Sequence, residues 1–172
     1  MGSGARIAVI GVGNEFRRDD GVGPAVLARL LERAGSRAFP AETVLAACDG
    51  DPARLIGLWE GARLAVVVDA AQAHPGTAGR IHRIELDAER LGRPATTSSH
   101  GLGLGEAVDL ARVLGRLPGR LVVYAVEGAD ASLGTGLTPA VADVVEPLAD
   151  SVEKEIEEEA VRHRAAEAGG AR

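Results

Sequence analysis

The chain has 172 residues, a net charge of −6 and 46% hydrophobic residues, values typical of one globular domain. The excess of acidic residues argues against a nucleic-acid partner, because few cations are left to neutralise phosphates. The single cysteine, Cys48, excludes an intramolecular disulfide framework. No apolar run approaches the ~20 residues that cross a bilayer, so we expect no membrane insertion. The opening MGSGAR lacks the plan of a signal peptide, and we expect a cytoplasmic location.

Strands and helices alternate in the first half of the chain. Residues 5–12 form a continuous β-branched run, which predicts a strand covered on both faces. Residues 24–34 have apolar positions at helical spacing, with Pro24 suited to a first turn. The same signals predict a strand over 42–48, a helix over 51–61 and a strand over 63–70.

The second half continues the alternation. Residues 79–87 alternate apolar and polar side chains, which predicts an edge strand with one solvated face. Residues 90–101 show no periodicity and are predicted to form a loop. The remaining elements are a helix over 104–117, a strand over 119–128 and a long helix over 138–163, bent or interrupted at Pro147.

This pattern predicts an α/β fold. We expect a single three-layer domain over residues 1–163, in which helices flank a twisted, mostly parallel sheet of five strands. Residues 164–172 are small and polar, and we expect them to form a flexible C-terminal tail.

Polar residues and glycines follow the predicted carboxyl ends of the strands, where ligands bind in open α/β sheets. The candidates are Gly11, Gly13, Asn14, Asp19 and Asp20 after the first strand, Cys48, Asp49 and Asp51 after the second, Asp69 after the third, Ser98, Ser99 and His100 before the third long helix, and Glu127 and Asp130 after the last strand. One edge of the sheet is therefore predicted to be strongly acidic, with one histidine.

Several common sites fit this edge poorly. The stretch GVGNEF supplies a G-x-G, but Phe16 replaces the third glycine of a dinucleotide fingerprint. A pyrophosphate there would also face Asp19 and Asp20. The chain has no G-K-[ST] of a P-loop and no G-x-S-x-G of a nucleophile elbow. Cys48 is interpreted as a small hydrophobe at a strand end.

Ligation of a metal ion by oxygen and imidazole is the remaining hypothesis. Asp20, Asp69 and His100 come from three loops of the same edge, and two carboxylates with one imidazole suit a first-row divalent ion. Each residue also has a structural interpretation: Asp19 or Asp20 as a helix cap, Asp69 as a partner of a nearby turn, and His100 as part of the start of a helix. The weaker histidine candidates are His74, His82 and His163.

With these residues assembled, the sequence resembles the hydrogenase maturation proteases. These endopeptidases trim the C-terminal extension from the large subunit of nickel-iron hydrogenases. The segments that carry the resemblance are IAVIGVGNEFRRDDGVG (7–23), CDGD (48–51), VVVDAA (66–71), SSHGLGL (98–104) and GLTPAV (136–141).

The resemblance implies a set of site residues and a substrate. Asp20 matches the family's first acidic metal ligand, Asp69 the second and His100 the histidine. The ion would be nickel that arrives with the hydrogenase large-subunit precursor, so that only loaded precursors are cut. Asp19 and Asp49 are supporting candidates, and the sequence does not indicate which group acts as general base.

The sequence also departs from the family pattern, at Asp51 after the CDG stretch and at the pair Arg17 and Arg18 in the first motif. These departures bear on the identity of the substrate more than on the activity. Two other functions stay open at this point: a nickel-dependent chaperone that binds the precursor without hydrolysing it, and a nucleotide-binding α/β module. The sequence does not indicate an oligomeric state.

Overall fold

One five-stranded sheet with helices on both faces organises the computed structural model, which describes residues 6–40, 42–87 and 104–170. The strands are β1 (Arg6–Val12), β2 (Thr43–Cys48), β3 (Ala62–Ala71), β4 (Ile81–Asp87) and β5 (Arg120–Glu127). The helices are α1 (Val22–Ser36), α2 (Pro52–Trp59), α3 (Leu104–Leu114), α4 (Pro139–Ala142) and α5 (Val145–Gly169). No helix within these ranges combines the length and the apolar character that a membrane span requires.

The sheet is mostly parallel, as the alternation of elements predicts. Its strand order is β2-β1-β3-β5-β4, and only the β4–β5 pairing is antiparallel. The side chains of β4 are all partly buried or exposed, which confirms the predicted edge strand. The predicted three-layer α/β fold is therefore confirmed. The carboxyl ends of the parallel strands β1, β2, β3 and β5 lie along one edge of this sheet.

The apolar run in β3 serves both faces of the sheet. Leu64, Val66 and Val68 belong to a core shared with α1 and α5. Ala65 and Val67 alternate with them and belong to a second core, shared with α2 and α3. All five side chains are at most 1% exposed, and burial stabilises each of the larger ones by about 1.5–3 kcal/mol. A strand that is covered on both sides therefore has no polar alternation, and this is why it reads as one continuous run.

The start of α1 packs directly on the backbone of the sheet. A Cβ atom on Gly23 would lie 2.3 Å from the Val12 carbonyl oxygen and 2.6 Å from that of Val68. Only glycine permits this approach of the helix to β1 and β3. A 3₁₀ turn over Arg18–Gly21 precedes the helix. The Asp19 amide of this turn donates to the Asp130 carbonyl, after β5, at 3.0 Å.

Three features of the chain differ from the sequence predictions. The 3₁₀ turn gave no periodic signal, because it is shorter than two helical turns. The closing helix is divided near Asp143 and Val144 rather than at Pro147. Pro147 lies in the first turn of α5, where its missing N–H removes no helical hydrogen bond. Helix α5 also continues to Gly169 instead of ending at residue 163; the flexibility of the segment 164–172 stays a prediction.

A charged cluster joins β4 and β5 to α5. We call it the β5–α5 ion network, and it consists of Arg83, Glu85, Arg120, Tyr124, Glu155 and Glu159. Glu155, which is 5% exposed, accepts hydrogen bonds from Arg83 Nε at 2.7 Å and from the Tyr124 hydroxyl at 2.8 Å. Arg120 donates to Glu159 at 2.8 Å. Each of these buried carboxylates therefore has a cationic partner.

Candidate active site

A cleft of about 500 Å³ opens beyond the carboxyl ends of the strands. Residues that follow β1, β2, β3 and β5 form its walls, and Leu104 at the start of α3 closes one side. We call it the acidic cleft, after the aspartates that line it: Asp19, Asp20, Asp49, Asp69 and Asp130. The structure thus brings together acidic residues that are widely separated in sequence, at the edge where the sequence predicted them.

Asp20 is oriented by the backbone of the first glycine motif. The Asn14 amide donates to Asp20 Oδ2 at 2.8 Å, and Asn14 Oδ1 accepts from the Phe16 amide at 2.9 Å. Gly13 has a φ of +137°, and a Cβ there would lie 1.9 Å from the Asp20 carbonyl oxygen. Gly13 and Asn14 therefore support the position of Asp20. Gly11, inside β1, allows Gly23 to approach the strand closely, because a Cβ on Gly11 would lie 2.5 Å from the Gly23 carbonyl oxygen.

The helix-cap interpretation of the acid pair is wrong. Neither the 3₁₀ turn nor α1 has a side-chain hydrogen bond at its N-terminal cap, and the cap residue of α1 is Gly21. Asp20 instead faces the acidic cleft, and Asp19 makes a different set of contacts.

Asp69 lies near the end of β3, directly after the buried valines, and its side chain also lines the acidic cleft. Burial raises the pKa of this carboxyl to about 7; a hydrogen bond from the Ala70 backbone opposes the shift, and the negative charge of Asp20 adds to it. Asp20 is therefore close enough to repel Asp69. Within the described ranges, neither carboxylate has an ion-pair partner.

His100 lies in the segment 88–103, outside the described residues. The structure therefore places Asp20 and Asp69 on one cleft, while the histidine of the predicted ligand set stays a prediction. Over the part of the chain that the structure describes, no group of three or more His, Cys, Asp or Glu side chains is arranged to hold a metal ion. A complete site would need at least one donor from elsewhere, either from that segment or from a bound molecule.

Asp19 is a buried anchor. It is 1% exposed and accepts from the backbone amides of Ala129 at 2.8 Å, Asp130 at 3.0 Å and Thr138 at 2.7 Å. The Thr138 hydroxyl donates to it as well. Burial alone would raise the pKa of Asp19, but these hydrogen bonds outweigh it and the pKa falls below its usual value. Asp19 thereby fastens the segment after β5 to the turn that carries Asp20.

The two aspartates after β2 have different positions: Asp49 lies at the rim of the acidic cleft, and Asp51 lies at the start of α2. Asp49 accepts from the Asp51 amide at 3.1 Å, which lowers the pKa of its carboxyl, and lies 3.4 Å from Arg54. Its side chain is 65% exposed at the rim of the acidic cleft. Asp51 caps α2 by accepting from the Arg54 amide at 3.0 Å. Cys48 is buried, and burial raises the pKa of its thiol, although its sulfur accepts from the Gly50 amide at 3.4 Å.

His74 has a more prominent place than its sequence position indicates. It lines the acidic cleft from the loop after β3, and Glu127 holds that loop by accepting from the Thr77 amide at 3.1 Å. Its closeness to Asp69 along the chain was the available signal. Of the other weak candidates, His82 lies 3.5 Å from Glu127, and His163 lies 3.2 Å from Glu167 near the end of α5.

Comparison with known protein families gives one match. The model of the HycI hydrogenase maturation protease family matches residues 36–155, well over half of the chain. The matched range includes Asp69 and the segment that holds His100, and it begins after the glycine motif that holds Asp20. No curated protein sequence matches the chain.

Solved structures extend the likeness over nearly the whole chain. The hydrogenase maturating endopeptidase HybD from E. coli is 26% identical, with a TM-score of 0.67, over 90% of this chain and 93% of its own. An endopeptidase from Escherichia coli is also 26% identical, with a TM-score of 0.66, over 86% of this chain and 89% of its own. The [NiFe] hydrogenase maturation protease HybD from Thermococcus kodakarensis shares the fold at 22% identity and a TM-score of 0.65, over 88% and 99% of the two chains.

Proposed function

Because the chain belongs to the hydrogenase maturation protease family, we propose that it is an endopeptidase that removes the C-terminal extension of a nickel-iron hydrogenase large-subunit precursor. Cleavage follows nickel insertion, and the protease recognises the bound nickel. In this proposal the precursor is the partner, and its nickel ion is part of the substrate rather than a resident cofactor.

The pairing of Asp20 with Asp69 supports this proposal more than any other observation. Both line the acidic cleft, and the raised pKa of Asp69 reflects burial together with the charge of Asp20. A cation placed between the two carboxylates would offset their repulsion and stabilise the ionised form of both. The cleft is therefore better suited to a positively charged group on the substrate than to a phosphate.

The proposed chemistry uses the substrate's nickel as a positioning group and Lewis acid. Asp20 and Asp69, with His100 as the third donor implied by the family, complete the coordination of an ion that the precursor already holds. The ion fixes the scissile peptide in the acidic cleft and polarises its carbonyl or a water molecule. The water oxygen then adds to the carbonyl carbon as the water gives up a proton. The C–N bond breaks, the leaving amine takes up that proton, and a carboxyl group is left at the new C-terminus.

This arrangement also explains selectivity for the loaded precursor. Without nickel, the precursor offers no cation to the two carboxylates, and nothing fixes the scissile bond near them. Binding energy from the ion is then realised only when the precursor carries nickel. The same carboxylates therefore serve both recognition and positioning.

Mass spectrometry of the precursor after incubation with the protein tests the proposal. Nickel-loaded precursor should lose its C-terminal extension, and metal-free precursor should stay intact. Asp20→Asn and Asp69→Asn should each prevent cleavage, whereas Asp109→Asn, at a 63% exposed position on α3, should cut normally. A shift in the electrophoretic mobility of the loaded precursor without shortening would instead indicate a precursor-binding chaperone. If neither precursor changes, the nucleotide-binding module is the alternative that fits.

A further inference from the structure

Two large apolar side chains stand exposed beside the acidic cleft. Phe16 is 60% exposed in the loop after β1, and Leu133 is 76% exposed in the segment after β5. An exposed apolar side chain that stands alone is ordinary, whereas neighbouring exposed apolar side chains beside a cleft are a candidate binding surface. We call these two side chains the Phe16–Leu133 patch.

Backbone hydrogen bonds hold the two segments side by side. The Gly134 amide donates to the Phe16 carbonyl at 2.9 Å, and the Arg18 amide donates to the Gly134 carbonyl at 3.0 Å. Arg17 and Gly134 form a parallel bridge at the same place. Phe16 and Leu133 are each next to a residue of this bridge in the chain, so they form one surface.

Both segments are fixed before any ligand binds. Asn14 Oδ1 accepts from the Phe16 amide at 2.9 Å, and Asp130 Oδ1 accepts from the Ser132 amide at 2.8 Å. Asp19 anchors the second segment to the 3₁₀ turn through the amides of Ala129 and Asp130. A patch on ordered backbone binds without a large entropic cost of loop ordering.

The patch is continuous with the wall of the acidic cleft. Gly13, three residues before Phe16, and Ala131, two residues before Leu133, both line the cleft. Two or three residues of extended chain span at most about 7–11 Å, which is the reach of two or three residues of a bound peptide. A peptide that lies in the cleft and leaves it along this wall therefore crosses the patch.

Arg18, one of the two arginines beside the patch, contacts an acidic residue of the second segment. The Arg18 guanidinium lies 3.6 Å from the Asp130 carboxylate and packs over Gly134, where a Cβ would lie 2.8 Å from its Nη2 atom. Phe16 and Leu133 therefore add apolar surface to a wall that also carries this ion pair and the exposed Arg17.

We propose that the Phe16–Leu133 patch binds an apolar side chain of the precursor, within a few residues of the bond that is cut. This inference rests on the proposed function and adds to it a chemical requirement on the substrate: a cation in the acidic cleft and an apolar residue on its wall. A second copy of this chain is a poorer occupant. A stable dimer buries about 800 Å² on each partner, far more than two side chains supply.

Steady-state cleavage of nickel-loaded precursor by patch variants tests the inference. Phe16→Ala and Leu133→Ala should each lower kcat/KM about tenfold, mainly through KM, because each removes apolar contact with bound peptide. The double variant should lose less than the product of the two effects, since both side chains contact one group. Phe16→Leu should retain most of the activity. Leu31→Ala on α1, at a 53% exposed position, is the matched control and should cut as the unaltered protein does.

A reciprocal change in the precursor completes the test. Serine at the apolar positions on either side of the cut should lower kcat/KM and should remove the further effect of Phe16→Ala. Equal KM and kcat/KM for Phe16→Ala, Leu133→Ala and Leu31→Ala would overturn the inference. A change from dimer to monomer in Phe16→Ala, measured by sedimentation, would also overturn it. If the unaltered protein cuts no loaded precursor, the proposed function fails; if it cuts but ignores the patch, only this inference fails.

Discussion

In two acidic regions of the molecule the pKa values of carboxyl groups shift in opposite directions. In the β5–α5 ion network, burial would raise the pKa of Glu155, but hydrogen bonds from Arg83 and Tyr124 outweigh it and the pKa falls. In the acidic cleft, burial raises the pKa of Asp69 to about 7, and the nearest charge that acts on it is the negative charge of Asp20. Both regions belong to the same sheet, and they lie toward opposite ends of β5.

The difference separates structural charge from charge held for a ligand. A buried carboxylate with arginine partners has its desolvation offset within the molecule, and removal of one partner destabilises the fold. A carboxylate that is buried beside another carboxylate destabilises the fold whenever it is ionised. A bound cation would therefore remove the repulsion between the carboxylates of the cleft. In the ion network, the arginines already offset the charge of the carboxylates.

The largest expected effect is on cleavage by Asp69→Asn. The substitution keeps the shape of the side chain but removes the charge that would bind the substrate's cation. We expect kcat/KM for nickel-loaded precursor to fall about a thousandfold, with no loss of thermal stability at pH 8. Cleavage rates and melting temperatures measured on the same samples check this. A variant that cuts at the normal rate, or one that is inactive because it is unfolded, would remove the distinction between the two regions.

The second expectation concerns pH. The folded pKa of Asp69, about 7, lies above the ordinary value of 3.8, so its contribution to stability is complete below pH 3.8 and is lost as the pH rises through 7. Full ionisation should cost on the order of 2–4 kcal/mol, and Asp69→Asn should abolish that dependence in melting experiments. Activity should change in the other direction: kcat/KM should rise about tenfold per pH unit up to pH ~7, because only the ionised carboxylate binds a cation. A melting temperature that does not change between pH 5 and 7 would contradict the statement on stability. A kcat/KM that does not change over the same range would contradict the statement on activity.

Asp19→Asn tests whether a carboxylate of the cleft can be purely structural. The amide would direct donor hydrogens at one or more of the backbone N–H groups of Ala129, Asp130 and Thr138. We expect a loss of about 2–3 kcal/mol in the free energy of unfolding, measured by urea denaturation. At temperatures where the variant is folded, its KM should rise more than its kcat falls, because the wall of the cleft is displaced. An unchanged unfolding free energy would show that these hydrogen bonds do not anchor the segment.

Glu155→Gln has the smallest expected effect and acts on the other region. The substitution weakens the hydrogen bonds with Arg83 and Tyr124 and leaves the two arginines of the network with less negative charge. We expect a loss of about 2 kcal/mol in stability. Cleavage by the folded variant should be unchanged, since the network lies away from the cleft. A loss of kcat/KM as large as that of Asp69→Asn would mean that the two regions are not independent.

Much of the fold was predictable because apolar runs and apolar–polar alternation are visible in the sequence itself. The unbroken apolar run of β3 indicates burial on both faces, and the alternation in 79–87 indicates an edge. The break in the closing helix was misplaced because Pro147 is a strong signal along the chain. In three dimensions it is compatible with a first helical turn. The backbone of the 3₁₀ turn bonds to Asp130 and Gly134, which lie far along the chain, so the turn has no local signature in the sequence.

The candidate site was predictable to the extent that strand ends converge. That rule brought Asp20 and Asp69 to one edge from positions far apart in the chain. It did not distinguish Asp19 from Asp20, which both line the cleft. Asp19 is buried and accepts hydrogen bonds from the distant segment after β5, whereas Asp20 accepts one from the nearby Asn14 amide. The Phe16–Leu133 patch was equally hidden, because its two members meet only through the bridge at Gly134.

X-ray absorption at the nickel edge tests directly whether the carboxylates of the acidic cleft complete the coordination of the substrate's nickel. The precursor would be loaded with nickel and frozen, first alone and then just after mixing with the protein. Mixing with the unaltered protein should add oxygen or nitrogen donors to the nickel, and mixing with Asp69→Asn should add fewer. A nickel spectrum that is the same with and without the unaltered protein, while the extension is still removed, would contradict this expectation.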